Sequence, residues 1–161
     1  MKLIIHSGTH KTATTSFQYL CGKNINLLEN NGLYYPIIES TKEDLGDIIY
    51  EKINVTSRSI DNHSYLAWMI QSKQLERVNS LFSRFFIDAQ KLKCNSVLLS
   101  GEDFENVLID SSMHQITELI ARDSGFTNIE WIFVKRNSYD YLMSLYSELA
   151  TQGFCFNLNS I

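Results

Sequence analysis

Short apolar segments that alternate with helical patterns are the feature that most constrains the fold of this chain. Val, Ile, Leu and aromatic residues cluster in four short stretches that are bounded by polar residues, glycine or proline. We predict strands at residues 2–6, 33–36, 96–100 and 130–135. Strands that alternate with helices favour a parallel sheet that is covered on both faces. The sequence therefore predicts an α/β domain with three layers, α/β/α, around a central parallel sheet.

The segments between these strands carry apolar residues at helical spacing. We predict helices at residues 13–31, from near 64 to 92, at 112–124 and from 139 onward, with a short one at 44–53. The apolar stripe of the longest helix consists of Val78, Phe82, Phe85, Ala89 and Leu92. The stripe of the last helix consists of Tyr139, Leu142, Tyr146 and Leu149. Gly32 and Gly125 stand where a left-handed residue ends a helix, and Pro36 ends a strand at a sheet edge.

The composition fits one globular domain over residues 1–161, with 44% hydrophobic and 20% charged residues. A net charge of −4 argues against a general nucleic-acid binder, because such binding needs a positive field over a whole face. A small anionic ligand is compatible with this charge, since a few backbone N–H groups and one lysine suffice to hold a phosphate or sulfate.

Three widely spaced cysteines, Cys21, Cys94 and Cys155, form no C-x-x-C pair. Neither a disulfide framework nor a zinc site is indicated, and a reducing compartment fits best. The apolar start at residues 3–5 is too short for a signal peptide or a membrane span. We therefore expect a cytoplasmic protein without a metal, and the sequence leaves open whether it is a homo-oligomer.

The loop after the first strand concentrates groups that bind phosphate or sulfate. The segment His6-Ser-Gly-Thr-His-Lys-Thr-Ala-Thr-Thr-Ser16 brings a glycine, a lysine and several hydroxyls to a helix N-terminus. Backbone N–H groups there lack intrahelical partners, and the helix dipole favours negative charge. The spacing differs from the Walker A motif, which has a second glycine directly before the lysine. The alternative is an ordinary helix start, with Thr12 as N-cap and a solvated Lys11.

The same loop resembles that of a known family. The pattern His6-x-Gly8-x-x-Lys11-Thr12-x-Thr14-Thr15-Ser16-Phe17-Gln18 is similar to the 5′-phosphosulfate loop of sulfotransferases of the bacterial and carbohydrate-type branch. The resemblance implies a P-loop NTPase-like fold and 3′-phosphoadenosine 5′-phosphosulfate (PAPS) as the donor. The donor-binding residues that it implies are Gly8, Lys11, Thr12, Ala13, Thr14, Thr15 and Ser16. His10 and Ala13 replace the family's usual proline and glycine, and alanine suits a first helical turn.

A second segment resembles the family's 3′-phosphate motif, in which a strand ends in arginine and a serine follows eight residues later. Arg136 and Ser144 keep that spacing. An arginine offers a planar fork of donors to a phosphate, and a serine on the next helix adds a neutral donor. A solvent-exposed serine fits the same pattern. The order of the two motifs along the chain is what favours the resemblance.

The loop after the third predicted strand supplies a candidate general base. A sulfuryl acceptor must lose its proton as the new S–O bond forms, and family members use a histidine or glutamate for this step. Glu102 is our first candidate, and Ser100 is a candidate contact to donor or acceptor. Glu39 and His63 are the rivals for the base. The alternative is that acidic residues here only complement a helix N-terminus.

The resemblance implies a sulfotransferase that transfers a sulfuryl group from PAPS to a small-molecule or carbohydrate hydroxyl. Lys11 would stabilise the leaving group, and Glu102 would accept the proton. One alternative is a P-loop kinase or NTPase, with Asp103 as its magnesium-binding residue. Another is a truncated relative that binds a nucleotide, or only a partner, without turnover. Family domains are generally longer than 161 residues, so we expect a single sulfotransferase-like domain that lacks the usual C-terminal part.

Overall fold

The computed structural model describes residues 1–8, 14–37 and 63–151, which contain four strands and seven helices. The strands are β1 (Lys2–Gly8), β2 (Leu33–Tyr34), β3 (Ser96–Ser100) and β4 (Asn128–Val134). The helices are α1 (Thr14–Lys23), α2 (Ile25–Asn30), α3 (Ser64–Gln71), α4 (Leu75–Lys91), α5 (Phe104–Ile109), α6 (Ser111–Asp123) and α7 (Ser138–Thr151). No helix in these ranges combines the length and the hydropathy needed to cross a membrane.

The strands form one parallel sheet in the order β2-β3-β1-β4. β1 lies between β3 and β4 and pairs with β4 along its whole length. The predicted α/β class with a parallel sheet is therefore confirmed. β4 is an edge strand among the described residues, and Ile132, Phe133 and Val134 keep 38–40% of their surface exposed.

Alternate residues of β1 contribute to two different cores, because successive side chains of a strand point to opposite faces. Leu3 and Ile5 are fully buried in the larger core, to which α3, α4, α5 and α6 contribute. Ile4 packs against the smaller core on the other face, which contains Cys21 of α1 and Leu98 of β3. Helices therefore cover both faces of the sheet.

The predicted stripe of the long helix is confirmed except at its end. The buried residues of α4 are Val78, Phe82, Phe85 and Ala89. Leu92 lies just beyond the helix and is 44% exposed, so its assignment to the core was wrong. In α7 the predicted stripe is exposed at its start, since Tyr139 and Leu142 are 70% and 52% exposed.

Two predicted helices are interrupted. The predicted helix at 13–31 is divided into α1 and α2 at Asn24, whose side-chain amide donates a hydrogen bond to the Leu20 carbonyl at 2.7 Å. Such a bond from side chain to backbone competes with the regular helix. Between α3 and α4, Lys73 has a φ of 59°, a left-handed conformation that does not continue a helix.

Several boundaries also differ from the prediction. β1 continues to Gly8, within the predicted loop, because Gly8 still pairs with Val134. α5 is an additional helix, and α6 begins one residue earlier than predicted because the Asp110 carboxylate accepts bonds from the first N–H groups. Gly32 and Gly125 have the predicted positive φ, 78° and 107°. The predicted helix at 44–53 and the Thr12 cap lie outside the described residues.

A close approach at Gly101 joins the end of β3 to the start of α3. A Cβ atom at Gly101 would lie 2.8 Å from the backbone nitrogen of Ser64 and 3.1 Å from the carbonyl carbon of His63. Both are backbone atoms, so neither can turn aside as a flexible side chain could. Only glycine fits here without a shift of the main chain.

Replacing Gly101 with alanine should therefore destabilise the protein by roughly 1–3 kcal/mol, as overpacking of a well-packed site typically does. Urea unfolding of the parent protein and the variant measures this difference. Gly22→Ala, within α1, is the control and should be neutral or stabilising by up to about 1 kcal/mol, because alanine has the higher helix propensity. A Gly101→Ala variant as stable as the parent protein would contradict the close approach.

Candidate functional site

Three predicted site segments follow strands that end at the same edge of the sheet. His6 of β1 pairs with Ser100 of β3, and Gly8 of β1 pairs with Val134 of β4. Because the strands are parallel, their carboxyl ends lie side by side, and ligands of α/β proteins bind at such an edge. The segment after β1 thus starts between the segments that carry Glu102 and Arg136.

The ends of the predicted donor loop are described, and its centre is not. Gly8 is buried at the end of β1, and Thr14, which is 2% exposed, begins α1. Thr15 and Ser16 are exposed in the first turn of α1. The remaining predicted donor-binding residues, Lys11, Thr12 and Ala13, lie outside the described residues, as does Glu39.

Arg136 and Ser144 lie on the segment that leaves β4. Arg136 is exposed two residues beyond the end of β4, and Ser144 is half-buried in α7. The Asn137 side chain accepts a hydrogen bond from the Tyr139 N–H at 2.9 Å and so helps to begin α7 directly after the arginine. This asparagine before a helix is a local signal that our sequence reasoning missed.

Glu102 is half-buried in the turn between β3 and α5. Its backbone carbonyl accepts a hydrogen bond from the Glu105 N–H at 2.9 Å, and the Gly101 N–H donates to the His6 carbonyl at 3.1 Å. These bonds fix the turn against the end of β1. Glu102 thus lies on a backbone segment that is hydrogen-bonded to β1, the strand that precedes the predicted donor loop.

A buried polar cluster lies beside this edge and consists of His6, Gln18, His63 and Ser100. The Ser100 hydroxyl is 2.8 Å from Nδ1 of His6, and Nε2 of Gln18 donates to the Ser100 carbonyl at 3.4 Å. The His6 ring also packs against the Phe17 ring, with 4.5 Å between centroids. His6 is therefore held in place by both a hydrogen bond and a ring contact.

His63 occupies a single neutral tautomer in this cluster. The Ser100 N–H donates to Nδ1 of His63 at 2.9 Å, so the ring proton is on Nε2, which donates to the Pro36 carbonyl at 2.8 Å. Burial lowers the pKa of His63 to about 4, although its hydrogen bonds to the backbone of Pro36 and Ser100 oppose this shift. Both ring nitrogens are engaged, which disfavours His63 as a general base.

Burial also lowers the pKa of His6. Ser7, which points to the opposite face of β1 from His6, is fully buried, and its hydroxyl has no hydrogen-bond partner among the described residues. Within the described ranges, no group of three or more His, Cys, Asp or Glu side chains could hold a metal ion. The buried cluster of His6, Gln18, His63 and Ser100 is thus held by hydrogen bonds between its own members, to which Ser7 does not contribute.

Comparison of the chain with family models, with curated proteins and with solved structures gives no match.

Acidification should destabilise the protein through His63. Its folded pKa of about 4 lies below the ordinary value of 6.5, so the unfolded chain binds the proton more readily. The stability that neutral His63 contributes is present above about pH 6.5 and is lost as the pH falls toward 4, by up to about 3 kcal/mol.

Urea unfolding at a series of pH values between these two pKa values measures this loss. His63→Gln removes the titrating ring but keeps an amide that can both donate and accept, so its stability should fall less over the same interval. Carboxylate titration is common to both proteins and cancels in the comparison. Identical pH dependence of the two proteins would contradict the assignment to His63.

Proposed function

We propose that this chain is a sulfotransferase that transfers a sulfuryl group from PAPS to an acceptor hydroxyl, with a carbohydrate as the acceptor class. The observation that carries the proposal is the position of the segment after β1. It begins between the ends of β3 and β4, so the segment that carries Lys11 starts at the same edge of the sheet as the segments that carry Glu102 and Arg136.

The donor phosphosulfate is assigned to the loop between β1 and α1. Lys11 supplies a full positive charge, and the backbone N–H groups of residues 12–15 supply donors at the start of α1. Among the described residues α1 begins at Thr14, so the N–H groups of Thr14 and Thr15 lie in its first turn. Gly8, Thr15 and Ser16 complete the set beside the phosphosulfate.

The 3′-phosphate is assigned to Arg136 and Ser144. Arg136 follows the end of β4 on the opposite side of β1 from Glu102. In this proposal the nucleotide and the acceptor therefore bind on opposite sides of the segment that follows β1. The guanidinium binds phosphate through two parallel N–H bonds, and the serine hydroxyl adds a neutral donor.

The proposed reaction is an in-line displacement at sulfur. The acceptor oxygen attacks sulfur, the bond from sulfur to the bridging oxygen of PAPS breaks, and adenosine 3′,5′-bisphosphate leaves. Glu102 accepts the proton of the acceptor hydroxyl, and Lys11 stabilises the charge that develops on the bridging oxygen. Positioning and charge stabilisation supply most of the catalysis, as in phosphoryl transfer.

A P-loop kinase or NTPase is the second candidate, because Asp103 lies next to Glu102 at the same edge and the parallel sheet suits either activity. Its carboxylate would bind magnesium. A relative without turnover would bind nucleotide and transfer nothing. Nucleotide preference and turnover therefore separate the three functions.

Adenosine 3′,5′-bisphosphate should stabilise the parent protein more than ATP with magnesium does. At about 100 times its dissociation constant, a ligand stabilises a fold by about 2.7 kcal/mol, which a thermal shift resolves. Lys11→Ala and Arg136→Ala should each weaken the binding about tenfold or more, a change of about 1.4 kcal/mol or more.

The matched controls are Lys91→Ala and Arg122→Ala. Both residues lie at the C-terminal ends of helices, α4 and α6, that lead into the amino ends of β3 and β4, away from the carboxyl edge of the sheet. They should leave nucleotide binding unchanged. Equal stabilisation by both nucleotides, or unchanged binding by Lys11→Ala, would contradict the proposed donor site.

Glu102→Gln should lower kcat by about 10²–10⁴-fold and leave donor affinity nearly unchanged, because general-base catalysis contributes to the transfer step alone. A sulfuryl-transfer assay with carbohydrate acceptors, together with calorimetry of donor binding, measures both quantities. Glu105→Gln, three residues further along the same turn and helix, is the control and should keep its kcat. Unchanged kcat in Glu102→Gln would remove Glu102 as the base.

A further inference from the structure

Ser100 connects three separate elements at the carboxyl edge of the sheet. Its hydroxyl contacts the ring nitrogen Nδ1 of His6 at 2.8 Å, and its backbone N–H donates to the ring nitrogen Nδ1 of His63 at 2.9 Å. Its carbonyl accepts a hydrogen bond from the backbone N–H of His63 at 3.0 Å. The Gln18 amide donates to the same carbonyl at 3.4 Å. Ser100 is itself fully buried, so these protein groups are the partners that satisfy it.

Two of these partners flank the predicted donor loop. His6 lies two residues before the end of β1, and Gln18 lies in the second turn of α1, so they stand on either side of residues 9–13 in the sequence. Both side chains are more than nine-tenths buried. Both contact the same serine, so Ser100 connects the strand before residues 9–13 with the helix after them.

His63 holds this serine through its ring. With Nδ1 as acceptor for the Ser100 N–H and Nε2–H as donor to the Pro36 carbonyl, only the neutral ring with its proton on Nε2 satisfies both partners. A ring protonated on both nitrogens would lose the bond from the Ser100 N–H, and its Nδ1–H would have to turn to the Ser100 carbonyl, which lies 3.2 Å from Nδ1. The Tyr35 ring packs edge-on against His63, with 4.8 Å between centroids, and helps to fix its orientation.

We propose that His63 is a positioning residue that acts through Ser100 to hold His6 and Gln18 at the two ends of the PAPS-binding loop. This role rests on the proposed function, because the loop matters to catalysis only if it binds the donor. His63 itself touches neither reactant in this scheme. Its loss should therefore affect donor affinity more than the rate of transfer from bound donor.

The test compares His63→Leu, which removes both ring bonds, with His63→Gln, whose amide can donate and accept, and with Ser100→Ala. Thr117→Val is the matched control, since it removes one buried hydroxyl bond, to the Met113 carbonyl at 2.7 Å on α6, away from this cluster. Denaturant unfolding checks that every variant is folded under the assay conditions.

Two readouts are measured on the same proteins. Calorimetry with adenosine 3′,5′-bisphosphate and a transfer assay with PAPS give the Kd, KM and kcat, and nitrogen NMR of the His6 imidazole reports its bond to Ser100. His63→Leu and Ser100→Ala should each raise the donor Kd and KM about tenfold, which corresponds to about 1.4 kcal/mol, with kcat changed less than about twofold.

In the same variants the His6 nitrogen signals should shift, and His63→Gln should restore both the signals and the affinity. The double variant, with His63→Leu and Ser100→Ala together, should lose less donor affinity than the sum of the two single losses, because His63 acts through Ser100. Thr117→Val should behave as the parent protein in both readouts.

The two failures are distinguishable. A parent protein that binds no adenosine 3′,5′-bisphosphate and transfers no sulfuryl group refutes the proposed function, and the NMR readout still tests whether His63 positions His6. Unshifted His6 signals in a folded His63→Leu variant would overturn the positioning role. So would unchanged donor affinity in a protein that does bind the donor.

Discussion

The parallel pairing of β1 with β3 on one side and β4 on the other is the constraint on which the rest of the structure depends. Successive side chains of β1 point to opposite faces and helices cover both, so Leu3 and Ile5 are fully buried on one face while Ile4 packs on the other. The same pairing sets the carboxyl ends of three strands side by side. The position of the candidate site thus follows from backbone pairing of the strands and not from contacts between the candidate site side chains.

Buried polar groups then determine how this edge is organised. An unpaired polar group in such a place costs free energy, so His6, Gln18, His63 and Ser100 are arranged to satisfy one another. Gly101 allows the backbones of β3 and α3 to approach closely enough for those bonds to form. A side chain at Gly101 and a proton on Nδ1 of His63 would therefore both disturb the contact between the end of β3 and the start of α3. The side chain would collide with the backbone, and the proton would displace the bond from the Ser100 N–H.

Local patterns predicted the parts of the fold that depend on local physics. The strand at 96–100 and the buried stripe of α4 follow from apolar periodicity, and Gly32 and Gly125 have the left-handed backbone expected of helix ends. The breaks at Asn24 and Lys73 were missed, since the first depends on one side-chain bond and the second on a residue type that rarely takes positive φ.

The positions of Glu102 and Arg136 at one edge could be anticipated from parallel strands. The contact between His63 and Ser100 could not, because it joins residues 37 positions apart and has no local pattern.

The bond from His63 to Pro36 has a consequence for how this chain tolerates change. It joins the residues on either side of the segment 37–62, so the distance between the ends of that segment is set by buried groups of the sheet edge. A substitution that removes the His63 ring would therefore take a hydrogen bond from two backbone groups that lie 64 positions apart in the sequence, the Pro36 carbonyl and the Ser100 N–H.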